Sequence, residues 1–445
     1  MNKPVIGLIG VCSHCESGGQ RYDELIQNAK AAMVKQGMDV KVAKTAVYTV
    51  TDALCVCDQL KADGIEAVAI MDVTWVCDSL KYIFIHELNV PTVFWAVPYT
   101  ETFSIGCVQN FGSVLKTEGI QFEYVYGMPE EADVVEKVKK VAVAGQLIKK
   151  INTMRLALLG PRQTWRVAGP QDMTVEEWEF SLKFGPTLVH MEMEEITDEA
   201  EKISDNDAEK VFESLKDHTG KVLCRKETMI WMTKVYMATK RMMEKTGIEV
   251  IAAECYPKYG GLMNQTSSWI EEDGYILDTE GDIAHAVVKY VLNAAAQGGC
   301  CALGEIGSYS DEENYLKIAH EGSTPASLAE SIDQVQVSPS GENGCFVGTP
   351  LKPMEHCTVC DLQGTAGNYQ MLVANGSVLP AAHEEWVNGG EKLLVKLRLD
   401  GVKPSEAVKK MIDAGLHHHI VVKEGDFAEQ MQIICKYLGI NVITL

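Results

Sequence analysis

The residues with chemistry to offer lie in the last two-fifths of the chain, and they are acids and imidazoles rather than thiols. Glu280 sits in Thr279-Glu280-Gly281-Asp282, Glu305 follows 25 residues later, and His320 another 15 later. Three adjacent histidines, His417, His418 and His419, come 26 residues before the end. Two carboxylates with two imidazoles make a mixed oxygen and nitrogen donor set. Such a set suits Mn²⁺, Mg²⁺, Co²⁺ or Fe²⁺ better than a structural zinc, which favours thiolates. No pair has the compact His-Glu-x-x-His spacing that puts two ligands on one helix face. The fold must bring these groups together from separate elements.

Each candidate also has an ordinary explanation. Glu280 and Asp282 precede the apolar run 283–296, which stops at Gly298-Gly299. They stand at a helix N-terminus, where Thr279 or Asp282 serves as the cap and Glu280 as an exposed acid. Glu305 ends the string Cys300-Cys301-Ala302-Leu303-Gly304. That is the pattern of a buried strand reaching the carboxyl edge of a sheet, where open α/β folds place ligands; a solvated strand-end acid fits equally. A lone His320 before a Gly/Pro-containing loop reads more simply as structural. Packing does not account for the histidine triplet. Along an extended segment, His418 points away from the side shared by His417 and His419. Arg162, with Gln163 and Arg166, follows Leu159 in a Gly/Pro-flanked loop; it is a candidate substrate contact, with solvent exposure as its simpler reading.

The elements that must position these groups come in three textures. In the first 150 residues, strand candidates at 5–9, 40–43, 67–71 and 92–96 alternate with helical periodicity at 22–36, 50–63 and 79–88. This is the pattern of an open parallel sheet. No Gly-x-Gly-x-x-Gly turn follows the first strand, so a dinucleotide site is not supported. A helix at 133–151 leads to a strand at 155–159, followed by strands at 222–224 and 249–253. Between them, 197–216 reads as one solvated helix and 228–245 as a helix whose methionines fill core space. From about Gln334, Gly, Pro, Thr and Val alternate through strands at 357–362, 369–374 and 392–399. A helix at 427–438 and a strand at 441–445 end the chain, and Asp311-Glu312-Glu313 reads as a helix start. The expected organisation is two open-sheet, Rossmann-like α/β domains at 1–152 and 153–333, then a β-rich domain at 334–445.

Composition narrows the partners. Apolar residues make up 46% and charged residues 23%, ordinary for a globular protein, and the formal charge is −22. Nucleic acid and anionic membranes would be repelled. No apolar stretch approaches the roughly 20 residues that span a bilayer. The first apolar run is short and gives way to Ser13, His14 and Glu16, unlike a signal peptide, so a cytoplasmic location is expected. Fourteen scattered cysteines read as reduced thiols. The pairs Cys12/Cys15 and Cys357/Cys360 lie too far apart for a zinc ribbon, and no helix directly follows the first, as a redox motif would need.

Taken in order, the strings Thr279-Glu280-Gly281-Asp282, Glu305, His320 and Ala414-Gly415-Leu416-His417-His418 resemble the L-fucose and L-arabinose isomerase family. Cys255-Tyr256-Pro257 resembles a Cys-Trp-Pro of relatives. The resemblance covers the second half of the chain, and the N-terminal domains match only as generic α/β. It implies two α/β domains and a β-rich C-terminal domain. It also implies interconversion of an aldose and a ketose, and a divalent metal, Mn²⁺ before Co²⁺ or Mg²⁺. A homo-oligomer, trimer or hexamer, with the site completed by a neighbouring subunit, belongs to the same implication. On this basis Glu280 and Glu305 are expected to bind the metal and act as the acid/base pair. His320 and His418 complete the metal shell, and His417 and Arg162 contact the sugar. The chain is shorter than typical members, and Leu416 and His419 flank the histidine pair where arabinose isomerases usually have Ala and Thr. The sugar therefore stays open among pentoses, 6-deoxyhexoses, hexoses and modified sugars. A metal-dependent epimerase or lyase, or a non-catalytic cytoplasmic sugar-binding protein, is the alternative.

Overall fold

The computed structural model describes residues 2–161, 175–254, 259–320, 322–341, 343–365, 367–382, 385–386 and 393–445. The chain divides into two compact units: residues 1–150 with 430–439, and residues 151–429 with 440–445.

The first unit is built on β1 (Val5–Val11), β2 (Asp39–Val42), β3 (Ala67–Asp72), β4 (Thr92–Ala96) and β5 (Glu123–Tyr126). All four pairings are parallel, in the order β2-β1-β3-β4-β5. This is a doubly wound order, with its switch point between β1 and β3. Strands β3 and β4 are buried at every position, which is why they read as continuous apolar runs rather than alternating ones. Late in the chain, residues 430–439 return to this unit: Tyr437 Oη donates to Thr92 O at 2.8 Å, and Gln430 Nε2 donates to Lys140 O at 2.9 Å.

The second unit repeats the winding. Strands β6 (Arg155–Leu159), β7 (Thr187–Met191), β9 (Val250–Ala253) and β10 (Ile276–Asp278) form a parallel sheet in the order β10-β9-β6-β7. Strand β8 (Lys221–Val222) is not part of it; it pairs with β13 (Gln336–Ser340), which in turn pairs with β14 (Gly344–Gly348).

The β-rich part is a closed ring. It uses β11 (Ala302–Ser310), β12 (Tyr315–His320), β15 (Met354–Thr365), β16 (Asn368–Leu379), β17 (Leu393–Leu399) and β18 (His419–Glu424). The order is β15-β18-β11-β12-β17-β16, and β15 also pairs with β16. Every pairing in the ring is antiparallel, and β19 (Asn441–Ile443) adds to β16 in parallel. Closure removes the exposed strand edges of an open sheet. Ile318, Val359, Leu372, Val395, Leu397, Ile420 and Val422 share one buried core.

Three local expectations change. Residues 302–320, read with the second α/β domain, supply two barrel strands; Glu305 therefore lies mid-strand between antiparallel neighbours, not at the carboxyl edge of a parallel sheet. Asp311-Glu312-Glu313 forms the turn between β11 and β12 rather than a helix start. Asp311 still serves a helix terminus, accepting from Ser405 N–H at 2.9 Å in the first turn of Pro404–Ala414. The solvated stretch is two helices, Met193–Glu201 and Asp205–Leu215. Ser204 caps the second by accepting from Asp207 N–H, which ends continuity with the first. The described cysteines are free thiols, and among the described residues no helix is long and apolar enough to cross a membrane.

Candidate metal centre

The loop after β10 is stiffened from within. Asp278, the last residue of that strand, accepts from Glu280 N–H at 3.0 Å and from Asp282 N–H at 3.2 Å through one oxygen. Gly281 takes φ +71°, a left-handed conformation that costs glycine little, and donates its N–H to Ala253 O. Asp282 then caps helix Ile283–Ala295 by accepting from His285 N–H at 2.9 Å. The backbone around Glu280 is pinned, and its carboxylate projects from the turn.

Barrel register supplies the imidazoles. Glu305 on β11 stands opposite Ala319 on one side and His419 on the other. The last residue of β12, His320, and the first of β18, His419, therefore flank the same stretch of β11, with ring centroids 5.5 Å apart. Glu280 Oε1 lies 3.3 Å from His320 Nε2, and Glu280 Oε2 lies 3.3 Å from His419 Nε2. Side-chain exposure is 11% for Glu280, 3% for His320 and 0% for His419, so water does not compensate these groups. Neither Nε2 has a hydrogen-bond partner.

The tautomer of His419 follows from its other nitrogen. Nδ1 lies 2.8 Å from Asp282 Oδ2, which only accepts, so the proton sits on Nδ1 and the Nε2 lone pair faces Glu280. With a neutral ring, acceptor then meets acceptor in a dry site, and either a proton on Nε2 or a metal cation between the two resolves the conflict. One donor atom from each of Glu280, His320 and His419 lies within 4.8 Å of the others. A carboxylate–histidine support behind a ligating imidazole is the usual outer arrangement of a protein metal site. The residues present therefore fit a divalent cation.

Without a cation, charge on the protein's own groups holds the site together. Burial pushes the Glu280 carboxyl up, but the His320 and His419 imidazoles outweigh it and hold it well below the usual carboxylate range. Burial likewise opposes Asp282, yet His285 and His419 keep it ionised far below its ordinary value. Burial lowers His419, and the carboxylates of Asp282 and Glu280 raise it well above its ordinary value. Asp282, His285 and His419 form a second close group. There, however, the His419 nitrogen already hydrogen-bonds the carboxylate, so the group reads as support rather than a second ion site.

Of the residues singled out from sequence, the fold brings together Glu280 and His320. The imidazole that joins them is His419, not His418. Strand β18 opens at His419, so His418 precedes it and the expected alternation does not apply: its ring lies against that of His419, with centroids 4.3 Å apart. His418 is exposed and lines a cleft of about 420 Å³ with Glu305, His417, Tyr309, Ile412 and Leu416. Glu305 is thus a cross-strand neighbour of His419, but its carboxylate is not in the close donor group. Burial holds His417 down at about 4. Arg162 and Cys255-Tyr256-Pro257 lie outside the described residues. Sequence reasoning missed His285 and Asp361. The first sits three residues after the capping Asp282, a detectable spacing; the second is a buried acid inside β15, with no local signal.

No family model matches the chain. Over 396 residues it is 21% identical to the sulfoquinovose isomerases of Priestia aryabhattai and Priestia megaterium, covering 86% of this chain and 86% of each relative. The sulfoquinovose isomerase of Clostridium sp. (strain MSTE9) is 21% identical over 378 residues, covering 80% of this chain and 81% of that one. Among solved structures, a periplasmic solute-binding protein from Actinobacillus succinogenes 130z with bound D-allose covers 67% of this chain and 93% of its own, at 11% identity and a TM-score of 0.19. That likeness is too slight to carry an argument. The isomerase relatives span most of the chain, and they define its class: this protein is an enzyme, an intramolecular oxidoreductase of the sugar-isomerase kind.

Proposed function

We propose that this aldose–ketose isomerase is metal-dependent, with Glu280, His320 and His419 as its protein ligands. The observation that carries the reading is the pair of orphaned Nε2 atoms aimed at the two oxygens of one buried carboxylate. The mixed oxygen and nitrogen donors favour Mn²⁺, with Co²⁺ and Mg²⁺ as alternatives. When bound, such a cation polarises the sugar carbonyl and stabilises the negative charge that develops on its oxygen.

The chain's own residues handle protons. Aldose–ketose exchange removes a proton from one of C1 and C2 and returns one to the other through a cis-enediol, while a hydroxyl proton moves between O1 and O2. Glu305, on the cleft wall beside His419, is the group we assign to the carbon-bound proton. Exposed His418, on the same wall, is assigned to the hydroxyl protons, and His417 to sugar contact. Glu280 serves as ligand, since the imidazoles hold it ionised. A homo-oligomer remains part of this reading.

The relatives' substrate makes sulfoquinovose the first sugar to try, followed by L-fucose, L-arabinose and unmodified hexoses. Chelated protein is assayed for ketose formation with and without Mn²⁺. Metal-restored turnover supports the reading; turnover unaffected by chelation, with no metal bound, defeats the metal centre. Epimer formation without ketose would move the reaction elsewhere.

A further inference from the structure

Behind the three candidate ligands lies a chain of buried side chains that the proposed reaction does not use. His419 Nδ1 is 2.8 Å from Asp282 Oδ2. The same oxygen is 2.6 Å from His285 Nδ1, an ionic contact too oblique for a hydrogen bond. His285 Nε2 is 3.2 Å from Asp361 Oδ1. None of the four residues is more than 1% exposed. They come from separate parts of the unit: His419 from β18, Asp361 from β15, and Asp282 with His285 from the start of helix Ile283–Ala295.

We propose that His285 and Asp361 are positioning residues of the metal centre: the His285 ring, held between two carboxylates, fixes Asp282 Oδ2 where it orients His419. This rests on the metal-centre reading above. Asp282 alone is poorly determined for the task. Its Oδ1 accepts from His285 N–H as the helix cap, but that bond leaves Oδ2 free to swing about the side-chain torsion. The contact with the His285 ring removes this freedom. The ring in turn sits on a helix and would follow any motion of that helix relative to the barrel. Asp361 ties its far nitrogen to β15, which is hydrogen-bonded directly to β18, the strand carrying His419. The chain thus leaves the barrel at Asp361 and re-enters it at His419. A ligand bound at Nε2 would find its imidazole already oriented.

A plain structural ion pair is the competing explanation, and the two differ in coupling. A residue that acts on the ion only through Asp282 loses its effect once Asp282 can no longer hold His419; an independently structural residue does not. The test uses the full chain, stripped with chelator, and Mn²⁺ titrated by calorimetry into wild type, His285→Gln, Asp282→Asn and the double variant. His285→Gln is expected to weaken Mn²⁺ binding by about 10- to 100-fold, the usual range for outer-shell partners. At saturating Mn²⁺, the KM for the sugar should stay unchanged, because His285 does not reach the cleft. In the Asp282→Asn background, the same substitution should cost less than about 2-fold. Unchanged Mn²⁺ affinity in His285→Gln, or a full additive loss in the double variant, overturns the proposal. Should His285→Gln fail to fold, Asp361→Asn carries the test. Its amide oxygen can still accept from the ring, and it should weaken binding by a smaller factor, roughly 3- to 10-fold; wild-type affinity there is equally fatal. Wild type that binds neither Mn²⁺, Co²⁺ nor Mg²⁺ defeats the metal-centre reading itself, whereas binding that His285→Gln leaves intact defeats this inference alone.

Discussion

Each unit buries a cluster of charge near the carboxyl end of a parallel strand, and the two clusters end differently. In the first unit, Asp72 closes β3 and meets Lys81 at 3.2 Å, with both side chains fully buried. The Lys81 ammonium also donates to Cys107 O at 3.2 Å and to Cys107 Sγ at 3.1 Å, and it lies within about 5 Å of the Phe94 and Phe111 ring centres. All three of its donors are used, and the acceptors are used with them. In the second unit, Glu280 follows the end of β10 and faces two buried imidazole nitrogens that make no hydrogen bond. The first cluster is hydrogen-bonded throughout; the second leaves two buried ring nitrogens without a hydrogen bond. Buried charge is therefore a poor mark of function by itself, since a well-paired group can be purely structural. A buried polar atom without a hydrogen bond is the better mark.

The contrast can be broken in four ways. The largest effect is expected at the open cluster: Glu280→Gln should lower turnover by at least about 10³-fold while circular dichroism and melting stay near wild type. Wild-type-like rates would remove Glu280 from the centre. At the closed cluster the effect should fall on stability instead. Lys81→Met strands the Asp72 carboxyl and should cost about 3–5 kcal/mol in denaturant unfolding, with Mn²⁺ affinity unchanged. A loss of Mn²⁺ affinity there would mean the two clusters are not separable.

A pH effect comes next. In the metal-free protein, burial opposes protonation of His285, but Asp282 and Asp361 raise it to about 9, above the roughly 6.5 of an unfolded histidine. A raised histidine stabilises fully below the unfolded value and loses that contribution as pH rises through the folded one. Unfolding free energy should thus fall between about pH 6.5 and 9.5, by up to about 3 kcal/mol, with His419 acting in the same direction. Urea titrations across that window check it, and a flat profile would contradict the ionic chain. The smallest effect separates neighbouring histidines. His419→Asn should weaken Mn²⁺ binding by more than about 10-fold, and His418→Asn should leave it within about 2-fold. Equal losses would return His418 to the ligand set.

Much of the fold was legible because its signals are local. Strand β4 at 92–96 and β6 at 155–159 match the expected bounds, since fully buried strands show as short apolar runs. Asp282 was identifiable as a cap because the apolar helix begins immediately after it. The two short acidic helices were misread as one, since Ser204 looks like any exposed polar residue until its hydroxyl is seen capping. The barrel was read only from 334 onward. Its first two strands, β11 and β12, precede that texture change, and ring closure is a pairing between distant segments that no local pattern encodes.

At the centre the division is finer. The sequence by itself determined the donor types and the turn that presents Glu280, because composition and glycine placement act over a few residues; the expected alternation of His418 and His419 failed, because the strand begins only at His419 and the two rings lie together. Only the tertiary structure decided which histidine approaches Glu280. That choice depends on the register of β18 against β11 and on which face meets the helix behind Asp282. It also recruited Asp361, 76 residues from His285, since a contact between distant segments exists only after the chain has folded.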